Sequence, residues 1–228
     1  KQSVFLREAD YVSNMLASRF GAYGQIRLVN HRDHLMNRPM ATRENLRRAA
    51  QTLAERSGPE DLVFIYLTSH GTSEHELVLD QPRLELADLP ADELAIALAP
   101  LKNRDKIIVI SSCYSGGFIP ALKDERTLIM TASQADRVSF GCSEEADFTY
   151  FGDALFAQAL NQTDDLEHAF KLARATVAER EQADGFEASE PQIWAPKGVI
   201  AHWQQLRKQQ ARKALQSVSI GSKEAQSN

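Results

Sequence analysis

The sequence predicts an α/β fold, a mainly parallel sheet with helices on both faces, and three observations predict it. Residues 62–67 (LVFIYL) and 107–110 (IIVI) are wholly apolar runs, too short for core helices and rich in β-branched residues. That is the pattern of strands buried on both faces. Segments with helical spacing lie between such runs, and parallel neighbours need a crossover that a helix usually supplies. At 228 residues the chain fits one domain of generous size.

Taken in order, Val4, Phe5, Val12, Leu16 and Phe20 recur at helical spacing, so the chain is expected to open on a helix. No charged-then-apolar leader precedes Lys1, which fits a removed signal or a piece of a longer protein, and a helix without the strand that should feed it favours the second. Gly21 and Gly24 mark a turn, and residues 25–30 (QIRLVN) read as a short strand. Thr42 caps a helix whose stripe is Leu46, Ala49, Ala50 and Leu53, and Gly58-Pro59 stops it. After the first apolar strand, residues 76–80 and 83–86 are expected to pair as a small hairpin across Gln81-Pro82.

Leu94, Leu98 and Leu101 mark the next helix, residues 107–110 the second apolar strand, and residues 128–130 the start of a third. Residues 133–149 have no period and read as a long loop; residues 150–160 read as a helix. A further helix runs from Asp164 to about Ala183, with Leu166, Phe170, Ala173 and Val177 inward. Asp164 with Glu167 three residues later has the form of a capping box. Residues 193–195 and 199–200 are expected to supply a last strand. Residues 1–203 thus read as one domain lacking its first strand, and 204–228 as a polar tail, partly helical or disordered, with 217–228 its disordered end.

Composition removes several function classes. No apolar run approaches the ~18 residues of a membrane span. The net charge is −5 and the basic residues are scattered, which argues against a nucleic-acid partner. Two cysteines, Cys113 and Cys142, cannot build a disulfide framework or a four-cysteine zinc site. No GxSxG serine elbow and no phosphate-binding GxxxxGK[ST] loop occurs. His31, Arg32 and His34 read as a surface loop, His75 lacks a third metal ligand, and the acidic run Glu144, Glu145 and Asp147 reads as a solvated loop.

The chemistry gathers where the two most apolar strands end. One is followed by Thr68-Ser69-His70-Gly71, the other by Ser111-Ser112-Cys113-Tyr114-Ser115-Gly116-Gly117. In an open parallel sheet, functional groups collect at the carboxyl ends of the strands. If the strands are neighbours, His70 and Cys113 converge. A nearby imidazole activates a thiol and then donates a proton to the leaving group. Glycine beside the histidine lets backbone approach a substrate carbonyl, so the amides of Gly71 and Cys113 are the candidate oxyanion donors. A lone cysteine after a buried strand is usually a small core residue, and a lone histidine there is usually structural. Both at matching strand ends, each near glycine, favour the catalytic reading.

His70-Gly71 after one apolar strand and Ser112-Cys113-Tyr114-Ser115-Gly116 after another resemble the caspase-like clan of cysteine peptidases. Within that clan the sequence resembles the legumain-type family, which includes the catalytic subunit of the glycosylphosphatidylinositol transamidase, and looks like a bacterial member. The resemblance continues through Thr131-Ala132-Ser133, Ser139-Phe140-Gly141-Cys142 and Tyr150-Phe151-Gly152-Asp153. It implies a caspase-like α/β sandwich, a Cys113 nucleophile, a His70 acid/base, and neither metal nor organic cofactor.

The same resemblance places the substrate pocket at Ser111, Ser139 and Asp153. Legumain-like enzymes carry glutamate at the place of Ser111, arginine-specific metacaspases an aspartate and caspases a glutamine, so a preference for asparagine does not carry over. Asp153 by itself favours an amide or a cation before the scissile bond; its other reading is a charge placed at a helix N-terminus. The implied activity is cleavage of peptide or protein substrates through a thioester. A transamidase-like transpeptidase shares the first half-reaction, and an inactive caspase-like binding module is the reading from another class. Bacterial relatives of this type often carry a membrane segment, so the expected setting is a soluble domain of a membrane-anchored protein, itself without membrane contact.

Overall fold

The structure, a computed structural model, describes residues 3–224. Helix α1 (Ser3–Phe20) and helix α2 (Arg43–Arg56) precede the first strand, β1 (Leu62–Thr68). Then come β2 (Glu76–Leu77), β3 (Leu89–Pro90), α3 (Ala91–Ala97) and β4 (Asp105–Ser111). A short helical turn over Ser115–Phe118 leads through α4 (Ile119–Leu122) to β5 (Thr127–Thr131). After the loop of residues 133–149, α5 (Tyr150–Gly152) runs through a π-helical stretch, Asp153–Ala159, into α6 (Leu160–Gln162). The chain closes with α7 (Leu166–Asp184), β6 (Gln192–Trp194) and α8 (Lys197–Glu224).

The main sheet has the order β1-β4-β5-β6, with β1, β4 and β5 parallel and β6 antiparallel. Alternation along β4 divides its side chains between two cores. Ile107 and Val109 join α1, α7, α8 and the π-helical stretch; Ile108 and Ile110 join α2, α3 and α4. These four residues are at most 1% exposed, and each buried side chain of this kind contributes roughly 1.5–3 kcal/mol. The apolar character of β4 is therefore the demand of two cores at once.

Thr42 caps α2 as its sequence position predicts, its side chain accepting the Asn45 amide hydrogen. The β6 strand takes only residues 192–194; Val199 and Ile200 lie in α8 and pack on the core, so they add no strand. Helix α8 also continues through Ser217 to Glu224, where disorder was expected; residues 225–228 lie outside the described part. The cap of α7 is Asp165, which accepts the His168 amide, one residue after the expected Asp164. Asp164 is taken by Arg19 and Arg207, and its carbonyl by the Trp203 indole N–H.

Two local expectations fail because other neighbours take the pairing positions or keep the segment away from them. Strand β2 pairs with β3, not with residues 83–86, where only a Gln81–Leu84 bridge forms. Residues 25–30 join no ladder among the described residues. A strand must approach within ~4.8 Å of its neighbour to pair. Here an apolar groove of about 230 Å³, lined by Ile26 and Leu28 on one side and by residues 64–69 on the other, separates the segment from the β1 edge. That open edge leaves most β1 side chains only half-buried although all but one are apolar.

Candidate active site

Register brings the two sequence motifs together. Every β1–β4 pair, from Leu62↔Asp105 to Thr68↔Ser111, is separated by 43 residues, the spacing of His70 and Cys113. The contact persists past the ladder. The Ser69 amide donates to the Ser111 carbonyl at 3.2 Å, and a Cβ added at Gly71 would overlap the Cys113 carbonyl oxygen. Only glycine lets the two turns approach this closely.

Gly71 also faces Leu77 in a small antiparallel bridge whose hydrogen bonds run through the flanking residues, Val78 to His70 and Thr72 to Glu76. In such a non-hydrogen-bonded pair the central amides point away from the partner strand. The Gly71 N–H is thus left outside the hairpin. His75, discounted as a metal ligand, has a structural task. Its ring lies where a Gly117 side chain would sit, and its Nε2 is 3.0 Å from the Ala135 carbonyl oxygen. It clamps the His70 hairpin to the turn after Cys113.

His70 stands at the exposed rim with Phe5 of α1 edge-on to its ring at 4.9 Å. Desolvation pulls the imidazole below its ordinary 6.5, opposed by the charge of Asp80. A neutral ring is the form able to accept a proton. Cys113 is half-buried, and its sulfur lies against Ser139: the Ser139 amide donates to it at 3.3 Å, and the Ser139 carbonyl accepts from it at 3.4 Å. The Ser139 hydroxyl is 3.8 Å away. His70 and Cys113 share no direct hydrogen bond among the described residues. Burial pushes the Cys142 thiol up to about 12 and keeps it protonated.

The three residues expected to line a substrate pocket are placed differently from one another. Ser139 touches the thiol. Ser111 is 1% exposed, its hydroxyl shared with Thr149 at 2.9 Å. Asp153 begins the π-helical stretch, accepts from Gln158 at 2.9 Å and pairs with Arg180 at 3.6 Å. The Arg180 guanidinium in turn stacks on the Tyr150 ring at 3.9 Å. A substrate cation would share Asp153 with a resident one.

One charged residue at this place escaped the sequence reading. Glu8 is fully buried beneath the strand ends, and its carboxylate accepts from Tyr66, Thr68 and Thr149. The signal was present: Glu8 falls on the stripe Val4, Val12, Leu16 of α1, where spacing demands an apolar residue. Burial raises the Glu8 carboxyl above its ordinary 4.5, and burial with the Glu8 charge holds the Tyr66 hydroxyl well above 10. The folded protein then keeps a proton that the unfolded chain releases. The contribution of Glu8 to stability is fullest below pH 4.5 and declines as pH rises through its raised value. Urea midpoints measured against pH should show this decline in the wild type and a flatter profile in Glu8→Gln.

Among the described residues no group of three or more His, Cys, Asp or Glu is placed to hold a metal ion, and no helix is long and apolar enough to cross a membrane. A mostly parallel sheet between helices, with thiol and imidazole at adjacent strand ends, is the architecture of a caspase-like fold. The crystal structure of caspase-1 from Spodoptera frugiperda superposes with a TM-score of 0.58 at 16% identity, over 84% of this chain and 77% of that one. The peptidase C13 family model matches residues 44–202. The chain belongs to that family and is a cysteine peptidase, a hydrolase. No curated protein matches it.

Proposed function

We propose that the chain is a legumain-like cysteine endopeptidase acting through a Cys113–His70 dyad and a thioester. His70 takes the thiol proton as the sulfur attacks the substrate carbonyl carbon. The oxygen, now anionic, meets the amides of Gly71 and Cys113. Collapse breaks the C–N bond, and the proton on His70 goes to the departing amine. Water, deprotonated by His70, then hydrolyses the thioester and frees the sulfur. The carrying observation is the shared 43-residue offset of the β1–β4 ladder and the two motifs. The Gly71 amide, turned out of its hairpin, supports the oxyanion role.

Ser139 belongs to the substrate side of the cleft in this reading, since it flanks the sulfur through backbone and hydroxyl. Asp153 tunes that side through Arg180, and Ser111 acts from beneath it. The peptidase domain spans residues 1–203, with the later part of α8 as an appended segment.

The test is cleavage of an unbiased peptide library by wild type, Cys113→Ala and His70→Ala, with products identified by mass spectrometry with and without an added amine. Hydrolysis products that vanish in both variants support the endopeptidase. Cleavage persisting at the wild-type rate in Cys113→Ala would falsify the assignment. Acyl transfer to the amine as the main product would favour the transpeptidase.

A pH prediction follows from the His70 environment. The acid limb of kcat/KM reports the free enzyme and should lie below 6.5. Asp80→Asn removes the charge that holds the imidazole up, so the limb should move to still lower pH. An unmoved or raised limb would detach it from His70.

A further inference from the structure

We infer that Glu8 is a positioning residue, its one carboxylate fixing where the ends of β1 and β4 and the start of α5 stand relative to each other. The inference rests on the Cys113–His70 reading for its consequence in catalysis, and on the contacts of Glu8 for its mechanical content. Oε1 accepts from the Tyr66 hydroxyl and, at 2.9 Å, from the Thr68 hydroxyl, two residues before His70. Oε2 accepts from the Thr149 amide at 2.6 Å and its hydroxyl at 2.9 Å. With its proton committed to Glu8, the Thr149 oxygen is left to accept, and it does so from the Gly152 amide at 3.1 Å and from Ser111 at 2.9 Å. Ser111 stands two residues before Cys113.

Two further contacts mark the arrangement as built. A Cβ at Gly152 would overlap the Glu8 carboxylate, so this glycine leaves the space that Glu8 fills. Phe5, one turn earlier on α1, packs on the His70 ring. Helix α1 therefore reaches the His70 ring through an aromatic edge and, by way of Thr149, reaches Ser111 through a carboxylate. All four contacts to Glu8 come from donors, which a buried carboxylate satisfies and no apolar side chain could. Small displacements of reacting groups are costly, since ~1 Å of misplacement can cost ~10²-fold in rate.

The experiment compares Glu8→Gln, Glu8→Ala and Val12→Ala in the full chain. Val12 shares the buried stripe of α1 but has no polar side-chain atom and so makes none of the network's hydrogen bonds, which lets it report general destabilisation. In Glu8→Gln the amide oxygen can keep the Thr149 amide while the hydroxyls of Tyr66 and Thr68 turn to accept. Its kcat should stay within about fivefold of wild type, the equivalent of one ordinary hydrogen bond. Glu8→Ala should lower kcat by ~10²-fold with KM little changed. In the same variant, amide exchange should quicken in residues 139–149 and at the ends of β1 and β4, while Val12→Ala changes neither kcat nor that exchange pattern.

Wild-type kcat and exchange in folded Glu8→Ala, or equal kcat losses in Glu8→Ala and Val12→Ala at equal melting temperature, would overturn the inference. If the wild type cleaves no peptide at all, the dyad reading fails by itself, and the exchange comparison still decides what Glu8 holds in place.

Discussion

Cys113→Ala is expected to abolish peptide cleavage, lowering kcat/KM by at least ~10⁴-fold while leaving the melting temperature nearly unchanged. The substitution removes the only atom that forms the thioester in the proposed cycle. Structurally it removes little: the thiol is half-buried, and its polar partners are the Ser139 groups, which remain near solvent. His70→Ala should cost a similar factor. If the two act as one unit, as the proposed cycle requires, the double variant should be hardly worse than either single one. Additive losses in the double variant would show that the two side chains work independently.

Gly71→Ala carries the second largest expected effect, and its cause is backbone against backbone. The new methyl would overlap the Cys113 carbonyl oxygen, which has no side-chain freedom to give way. One of the two turns must move. Overpacking of this kind costs about 1–3 kcal/mol in stability. The displaced amides of Gly71 and Cys113 would lose their aim at the oxyanion, for ~10²–10³-fold in kcat per lost donor. Gly198→Ala is the control, since a Cβ there meets nothing within 4 Å, and it should keep full activity. Steady-state kinetics with denaturant titrations on both variants separate the two effects. An active, unshifted Gly71→Ala would remove Gly71 from the mechanism.

Much of this arrangement could be read from the sequence because strand ends are strongly punctuated. The runs LVFIYL and IIVI are apolar on both faces, and each stops at hydroxyl residues followed by histidine or cysteine. An in-register parallel pair then brings residues 70 and 113 to the same rim, and β1 and β4 are such a pair. What could not be read depends on tertiary neighbours. Residues 25–30 have strand chemistry but face a groove in place of a strand edge. Asp164 and Asp165 are equal as caps in sequence, and Arg19 and Arg207, distant along the chain, decide between them. Glu8 broke the apolar stripe of α1, yet its donors come from β1 and residue 149, so its purpose was invisible from the helix alone. Ser111 offered a free hydroxyl in sequence and is enclosed by the same network.

Covalent labelling with a peptidyl electrophile, read by intact mass and by mapping the modified residue, tests the proposed pairing of Cys113 with His70. One adduct is expected, on Cys113, forming far more slowly in His70→Ala, with Cys142 unlabelled because its thiol is held protonated at neutral pH. An adduct on Cys142, or labelling of Cys113 at an unchanged rate without His70, would contradict that pairing.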